Sequence, residues 1–319
     1  MMLDLVRTTC AEAAERASHV HINYKDIPRY ALTLPIERSK SAKHDPSCHY
    51  LDRGEDTAAF FLVLDTINFG SGYFPNLKKR HGMSGYLTIA CSLKEYFEWH
   101  GVPAAQFLSE TSWEECCEIF HQDPGTEVVQ ELMDLFAQAL RSLGDFLVTH
   151  FNGSYVELIK AAGSSAEELV KILLDMPFFR DVSTYDQTEV YFLKRAQLLV
   201  ADLALAFLYK GLGYFHDLDS LTIFADNLVP HVLRIDGILQ YEGLLAARID
   251  SEELIPAGSR EEVEIRACAV HASQLIAAEL RRGGHSITPR ELDHLLWNRG
   301  QEPYYKKVKP RHRTRTPFY

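Results

Sequence analysis

The sequence contains no apolar run near the ~20 residues that a bilayer-spanning helix requires, which excludes a helical membrane protein. It also has no excess of positive charge. Against 33 lysines and arginines stand 44 aspartates and glutamates, for a formal net charge of -11. Such a field repels phosphate at long range, so no stable DNA or RNA complex is expected. A local basic pocket for one small anion remains compatible with it. Cysteine is sparse: Cys10, Cys48, Cys91, Cys116, Cys117 and Cys268, with no CxxC spacing among them. The expectation is buried thiols in a reducing compartment. No HExxH, phosphate-binding loop, dinucleotide glycine fingerprint or serine-hydrolase elbow occurs. No metal and no cofactor are therefore expected. Acidic residues and a helix-like pattern start at once instead of a signal peptide, and the expected location is cytoplasmic.

What is present is helical periodicity. Hydrophobic residues make up 46% of the chain and charged residues 24%, ordinary values for a folded globule. The pattern predicts helices over 11–17, 56–69, 84–100 (ended by Gly101), 113–121, 127–150, 169–174 and 188–210. A further helix runs from a Ser259/Glu262 capping box to Arg282, and another starts at Thr288, Pro289 and Glu291. Strand signals are few: 20–23 and 31–34 read as short strands or extended connections. Residues 39–46 read as a flexible insert. The fold class expected is all-α or predominantly α. The basic tail over Lys306–Arg315 ends in Pro317, Phe318 and Tyr319, and the closing aromatic pair suggests docking onto the body.

Three clusters carry charge inside apolar surroundings. Asp226 lies between two apolar runs, where a carboxylate needs hydrogen bonds or a cation. It reads either as a carboxylate facing an anomeric carbon or as a cap for the helix near Pro230. Lys194, Leu198 and Asp202 fall on one helical face, so Lys194 reads as an anion ligand or as half of a structural ion pair. Glu264 and Arg266 stand in a tightly packed helix, where Glu264 can accept from a base or a sugar hydroxyl or serve the packing alone. His49, Asp65, Asn68, His231, Asp293 and Trp297 complete the polar candidates, Trp297 as a stacking surface or as core.

The order of these segments resembles the queuosine salvage protein family, the queuosine 5′-phosphate N-glycosylase/hydrolases. The resemblance rests on YFLKRAQLLVADL (191–203), DLDSLTIFADNLVPHVLRIDGIL (217–239), SREEVEIRA (259–267), VLDTINF (63–69), LDHLLW (292–297) and the basic-aromatic ending. It spans about Cys48 to Tyr319. After Phe69 the chain continues Gly70-Ser71-Gly72-Tyr73-Phe74-Pro75, where some relatives are richer in tryptophan.

The resemblance implies a compact helical fold similar to helix-hairpin-helix DNA glycosylases, as one domain over 1–319 with 1–50 as a lid or supporting subdomain. It implies release of queuine, a 7-deazaguanine base, from a free modified nucleotide, and a monomer is expected. Asp226 is then the catalytic residue, stabilising an oxocarbenium-like transition state or attacking C1′. Lys194 is the expected phosphate or sugar contact, with His231 and the basic tail behind it. His49, Glu264 and Asp293 are expected to read the base and its side chain, with Phe224 and Trp297 as planar contacts and Tyr319 as a further substrate-binding residue. Another N-glycosidase and a non-catalytic base or transfer-RNA binder are the competing readings.

Overall fold

A computed structural model describes residues 1–319, with the side chains of all but Lys40 and Ser41. The insert expected over 39–46 includes those two and lies partly outside the described side chains. No helix among the described residues is long and apolar enough to cross a membrane.

The chain is mostly helical, as its periodicity predicts. Glu55–Thr66 is the central element, and every residue from Thr57 to Thr66 is buried. A helix apolar on all sides has no face for water, so the others surround it. Glu127–Phe151 packs on it from one direction, bringing Ala105–Glu110 and Trp113–Ile119 along, and Lys194–Ala206 packs from another. A second group gathers round Arg260–Arg282, which lies against Met2–Glu15, Ile27–Ala31, Leu228–Ile235 and Pro289–Gly300.

Local signals set many boundaries. Ser84 accepts from Leu87 N and starts Gly85–His100, and Gly101 closes it at φ 77°. Thr288 and Glu291 form the reciprocal capping box. At Ser259 only half of the expected box exists. Its hydroxyl accepts from Glu262 N, but the Glu262 carboxylate turns to Gly258 N and Arg266.

Several expectations need correction. The first helix is longer than periodicity showed, running over Met2–Glu15. Residues 31–34 form no strand; Ala31 ends a short helix. The helix expected from Thr188 begins at Lys194, because Val182–Tyr185 and Thr188–Tyr191 pair as an antiparallel hairpin. Leu193 joins hairpin to helix in the left-handed region at φ 52°, a strained setting for a bulky side chain. Asp181 holds it there: its carbonyl accepts from Phe192 N and Leu193 N, and its carboxylate accepts from Lys194 N. Val20–Ile22 is a strand and pairs with Leu239–Tyr241, tying the first residues into the body. Of the six cysteines, Cys48 and Cys91 are joined in a disulfide, which corrects the expectation of thiols for that pair. The loop before His49 and the Gly85–His100 helix meet there, a proximity that a separation of 43 residues does not announce. The other four are free and buried.

Candidate active site

Residues 221–225 are buried without regular secondary structure, so their backbone groups need other partners. Side chains from three helices supply them. Gln197 Oε1 accepts from Thr222 N at 2.8 Å, Asp293 Oδ1 from Phe224 N at 2.8 Å, and Arg266 Nε donates to the Ala225 carbonyl at 3.0 Å. Asp226 follows. Its Oδ1 accepts from Leu228 N at 2.7 Å and Val229 N at 3.3 Å, capping the Leu228–Ile235 helix. The capping role is real, and it occupies one oxygen only. Oδ2 receives no hydrogen bond among the described residues, and Asp226 is half-buried while its neighbours are closed.

Lys194 stands at the start of its helix with its ammonium buried, donating to the Asn68 carbonyl at 3.3 Å. Burial pushes its pKa down, and Asp226, Asp65 and Asp202 oppose that push. The carboxylates feel the converse. Burial drives Asp65 and Asp293 well up, and drives Asp202 up to about 7 with Lys194 opposing. One ammonium faces three carboxylates, with Asp293 close behind, so this group favours holding at least one proton.

His49 is buried beside this group, its ring nitrogens at 2.9 Å from the Asp45 carbonyl and 2.9 Å from Tyr86 Oη. His44 lies 5.0 Å from it, centroid to centroid, and bonds the Asp202 carbonyl through Nε2. Burial lowers both imidazoles to about 4, so near neutrality they act as uncharged hydrogen-bonding groups. Tyr86, Asn68, Asp202, Asp226, Trp297 and Arg311 are each half-buried.

The C-terminal tail docks as expected. The Tyr319 carbonyl accepts from Gly70 N at 3.0 Å, Arg195 donates to the Pro317 carbonyl at 2.7 Å, and Ile255 N donates to the Arg313 carbonyl at 2.8 Å. A Cβ on Gly72 would lie 2.2 Å from the Thr314 carbonyl oxygen, so the tail passes where only glycine leaves room. Asn227 Nδ2 reaches the His312 carbonyl at 3.4 Å, which sets the neighbouring Arg311 beside Asp226. Arg311 is half-buried; burial pushes its pKa down and Asp226 opposes the push.

Asp226, Lys194, Asp293 and Phe224 are thus brought together, with His49 and Trp297 on adjoining elements. His231 lies behind them, fully buried, with Nε2 on the Tyr305 carbonyl and Nδ1 without a partner. Tyr319 is buried under Arg266, 4.5 Å from ring centroid to guanidinium carbon, and acts as the latch of the tail. Glu264 is elsewhere. Its Oε2 accepts from Ser18 N, His19 N and Val20 N, and its Oε1 from Tyr185 Oη, so it anchors the entry to the first strand.

Sequence reasoning passed over Gln197 and Asp181 and gave Arg195 and Arg311 no role of their own. Arg195 and Gln197 carried a signal, as polar residues at buried phases of an apolar helix. Asp181 carried none.

Comparison with known proteins identifies the family. A family model described as queuosine salvage protein matches residues 48–319. A Sphaerobacter thermophilus protein named queuosine 5′-phosphate N-glycosylase/hydrolase is 38% identical over 98% of this chain and 97% of its own. Proteins of the same name from Dictyostelium discoideum and Mus musculus are 33% and 30% identical, covering 99% and 98% of both chains. By this full-length likeness the chain belongs to the queuosine salvage protein family.

Proposed function

We propose that this protein hydrolyses the N-glycosidic bond of queuosine 5′-phosphate, giving queuine and ribose 5-phosphate. The observation that carries the reading is end-to-end likeness to enzymes of that name in a chain whose Asp226 keeps one free oxygen beside Lys194 and Asp293.

As the bond between C1′ and the base nitrogen breaks, its electron pair leaves with the base and positive charge spreads over C1′ and the ring oxygen. The Asp226 carboxylate, fixed by the helix terminus, stabilises that charge, and water adds hydroxide to C1′. The second proton of the water balances the departing base. A 7-deazaguanine has carbon where guanine has N7, so that proton must enter elsewhere on the ring system. Asp293, which burial pushes towards its protonated form, is suited to hydrogen-bonding the leaving base. His49 and Phe224 belong to the base side and Trp297 to its planar contact.

We assign the 5′-phosphate to Arg311 rather than to Lys194. Lys194 is already committed to carboxylates, whereas Arg311 has no ion pair among the described residues and is half-buried beside Asp226, with His231 behind it. The first fifty residues are taken as support, since their helix and strand are packed into the body. A likeness to helix-hairpin-helix glycosylases is carried by the family resemblance alone and implies no DNA substrate. With a net charge of -11, free nucleotide is the fitting partner.

The test is chromatography with mass detection after mixing the protein with queuosine 5′-phosphate and, separately, guanosine 5′-phosphate. Queuine release with little or no guanine release is expected. Absence of queuine would end this reading.

A further inference from the structure

The Cys48–Cys91 disulfide stands beside the candidate site and has no part in the hydrolysis. Cys48 immediately precedes His49, in a turn built on Asp45. The Asp45 carbonyl accepts from Cys48 N at 3.1 Å and from His49 N at 2.9 Å, and lies 2.9 Å from His49 Nδ1. Asp45 Oδ1 accepts from Ser47 N at 2.9 Å and from the Ser47 hydroxyl at 2.7 Å. These bonds shape the turn without fastening it to the body. It is tied to the Gly85–His100 helix by a hydrogen bond and a covalent bond. His49 Nε2 lies 2.9 Å from Tyr86 Oη at the start of that helix, and Cys48 is joined to Cys91 further along it.

Both sulfurs are buried, yet they lie under a cover that can open locally. Residues 45–47, directly before Cys48, are exposed and outside any helix or strand. Opening such a stretch takes less free energy than opening the core. The other four cysteines have no such access. Cys10, Cys116, Cys117 and Cys268 are free, buried and set within helices. Burial pushes all four thiols up, away from the reactive thiolate. Thiol chemistry in the folded chain is thus favoured at the pair beside His49.

We propose that Cys48–Cys91 is a thiol–disulfide exchange site whose redox state sets the His49 turn against Tyr86, fixed in the disulfide and loosened in the dithiol. The co-reactant is a dithiol. Its thiolate attacks one sulfur of the pair, the S–S bond breaks, and the displaced sulfur leaves as a thiolate and takes a proton. The second thiol of the reductant then resolves the mixed disulfide. Two electrons and two protons pass to the protein, and the reductant closes as its own disulfide. After reduction, hydrogen bonding to Tyr86 and ring packing on Phe61 at 5.8 Å hold a turn that a covalent bond had fixed. The consequence for turnover rests on the reading above, which places His49 on the base side.

The experiment compares protein purified under air, the same protein after dithiothreitol, and Cys91→Ala. Alkylation without unfolding, followed by mass analysis, identifies the thiols. Hydrogen exchange over residues 45–50 and kcat/KM for queuosine 5′-phosphate are read on the same samples. Dithiothreitol is expected to expose Cys48 and Cys91 to alkylation while sparing the other four, and to speed exchange over 45–50. It should lower kcat/KM by roughly 10-fold, within the ~10²-fold that a misplacement of about 1 Å costs. Reoxidation restores both properties, and Cys91→Ala stays at the reduced level under either condition. Protein that carries no disulfide under air, or a disulfide that opens only on unfolding, overturns the proposal. So does reduction that leaves exchange over 45–50 unchanged or, in an active protein, leaves kcat/KM unchanged. Because exchange is read without turnover, faster exchange in a protein that releases no queuine would sink the hydrolase reading and leave the exchange site standing.

Discussion

Arg266 donates from Nε to the carbonyl of Ala225 at 3.0 Å, one residue before Asp226. The same guanidinium pairs with Asp181 at 2.6 Å and Glu262 at 3.4 Å, and its faces are covered by Phe192 and Tyr319. One buried cation thus joins the loop that presents Asp226, the residue that starts the Lys194 helix, and the chain end.

Removing that cation should be severe. Arg266→Met leaves the Asp181 and Glu262 carboxylates buried without their partner, and a loss of about 3–5 kcal/mol is expected. Urea unfolding measures it. A loss under about 1 kcal/mol would mean that the network is not buried in solution as described.

The tail should respond to a single methyl group. Gly72→Ala places a Cβ 2.2 Å from the Thr314 carbonyl oxygen, and backbone must shift to relieve it. Overpacking of this kind costs about 1–3 kcal/mol. Faster proteolytic trimming of the C-terminus and reduced queuine release are expected together. Unchanged trimming would show that the tail does not pass there.

Arg311 should discriminate phosphorylated substrate. Arg311→Gln is expected to lower kcat/KM for queuosine 5′-phosphate by roughly 10- to 100-fold while changing unphosphorylated queuosine little, since only the former loses a charge-assisted contact. A larger selective loss in Lys194→Met would return the phosphate to Lys194.

Stability should depend on pH through Asp202. Burial raises its folded-state pKa from 3.8 to about 7, with Lys194 opposing and Asp65, Tyr86 and Asp293 facing it from neighbouring helices. Between pH 4 and 7 the unfolded chain has released this proton while the folded chain retains it. Folding stability therefore falls as pH rises through that window and levels off above it. Asp202→Asn has no such proton, so its urea midpoint should gain on that of the native protein from pH 4 to pH 7. Parallel profiles would contradict the placement of Asp202.

Elements whose ends are written locally were legible in the sequence: the Thr288–Glu291 box, the Ser84 cap and the Gly101 stop each act within a few residues. The start of the Lys194 helix was not. It depends on Asp181, 13 residues upstream, which holds Leu193 in a conformation that leucine seldom adopts. Asp226 was legible as a carboxylate in apolar surroundings, and so was its alternative use as a cap, which the structure realises at Oδ1. Glu264 looked equivalent by the same reasoning. Its partners at Ser18, His19 and Val20 lie some 245 residues away, beyond anything periodicity reports. Arg311 was hidden in a tail whose charges look alike until docking separates them.

The most direct test follows free queuine by mass-resolved chromatography, with a chelator present, for the native protein and a folded Asp226→Asn variant given queuosine 5′-phosphate. The account predicts release by the native protein and a loss of roughly 10²- to 10³-fold in the variant, the scale of one transition-state electrostatic contact. Equal release by both would remove Asp226 from the chemistry and contradict the central claim.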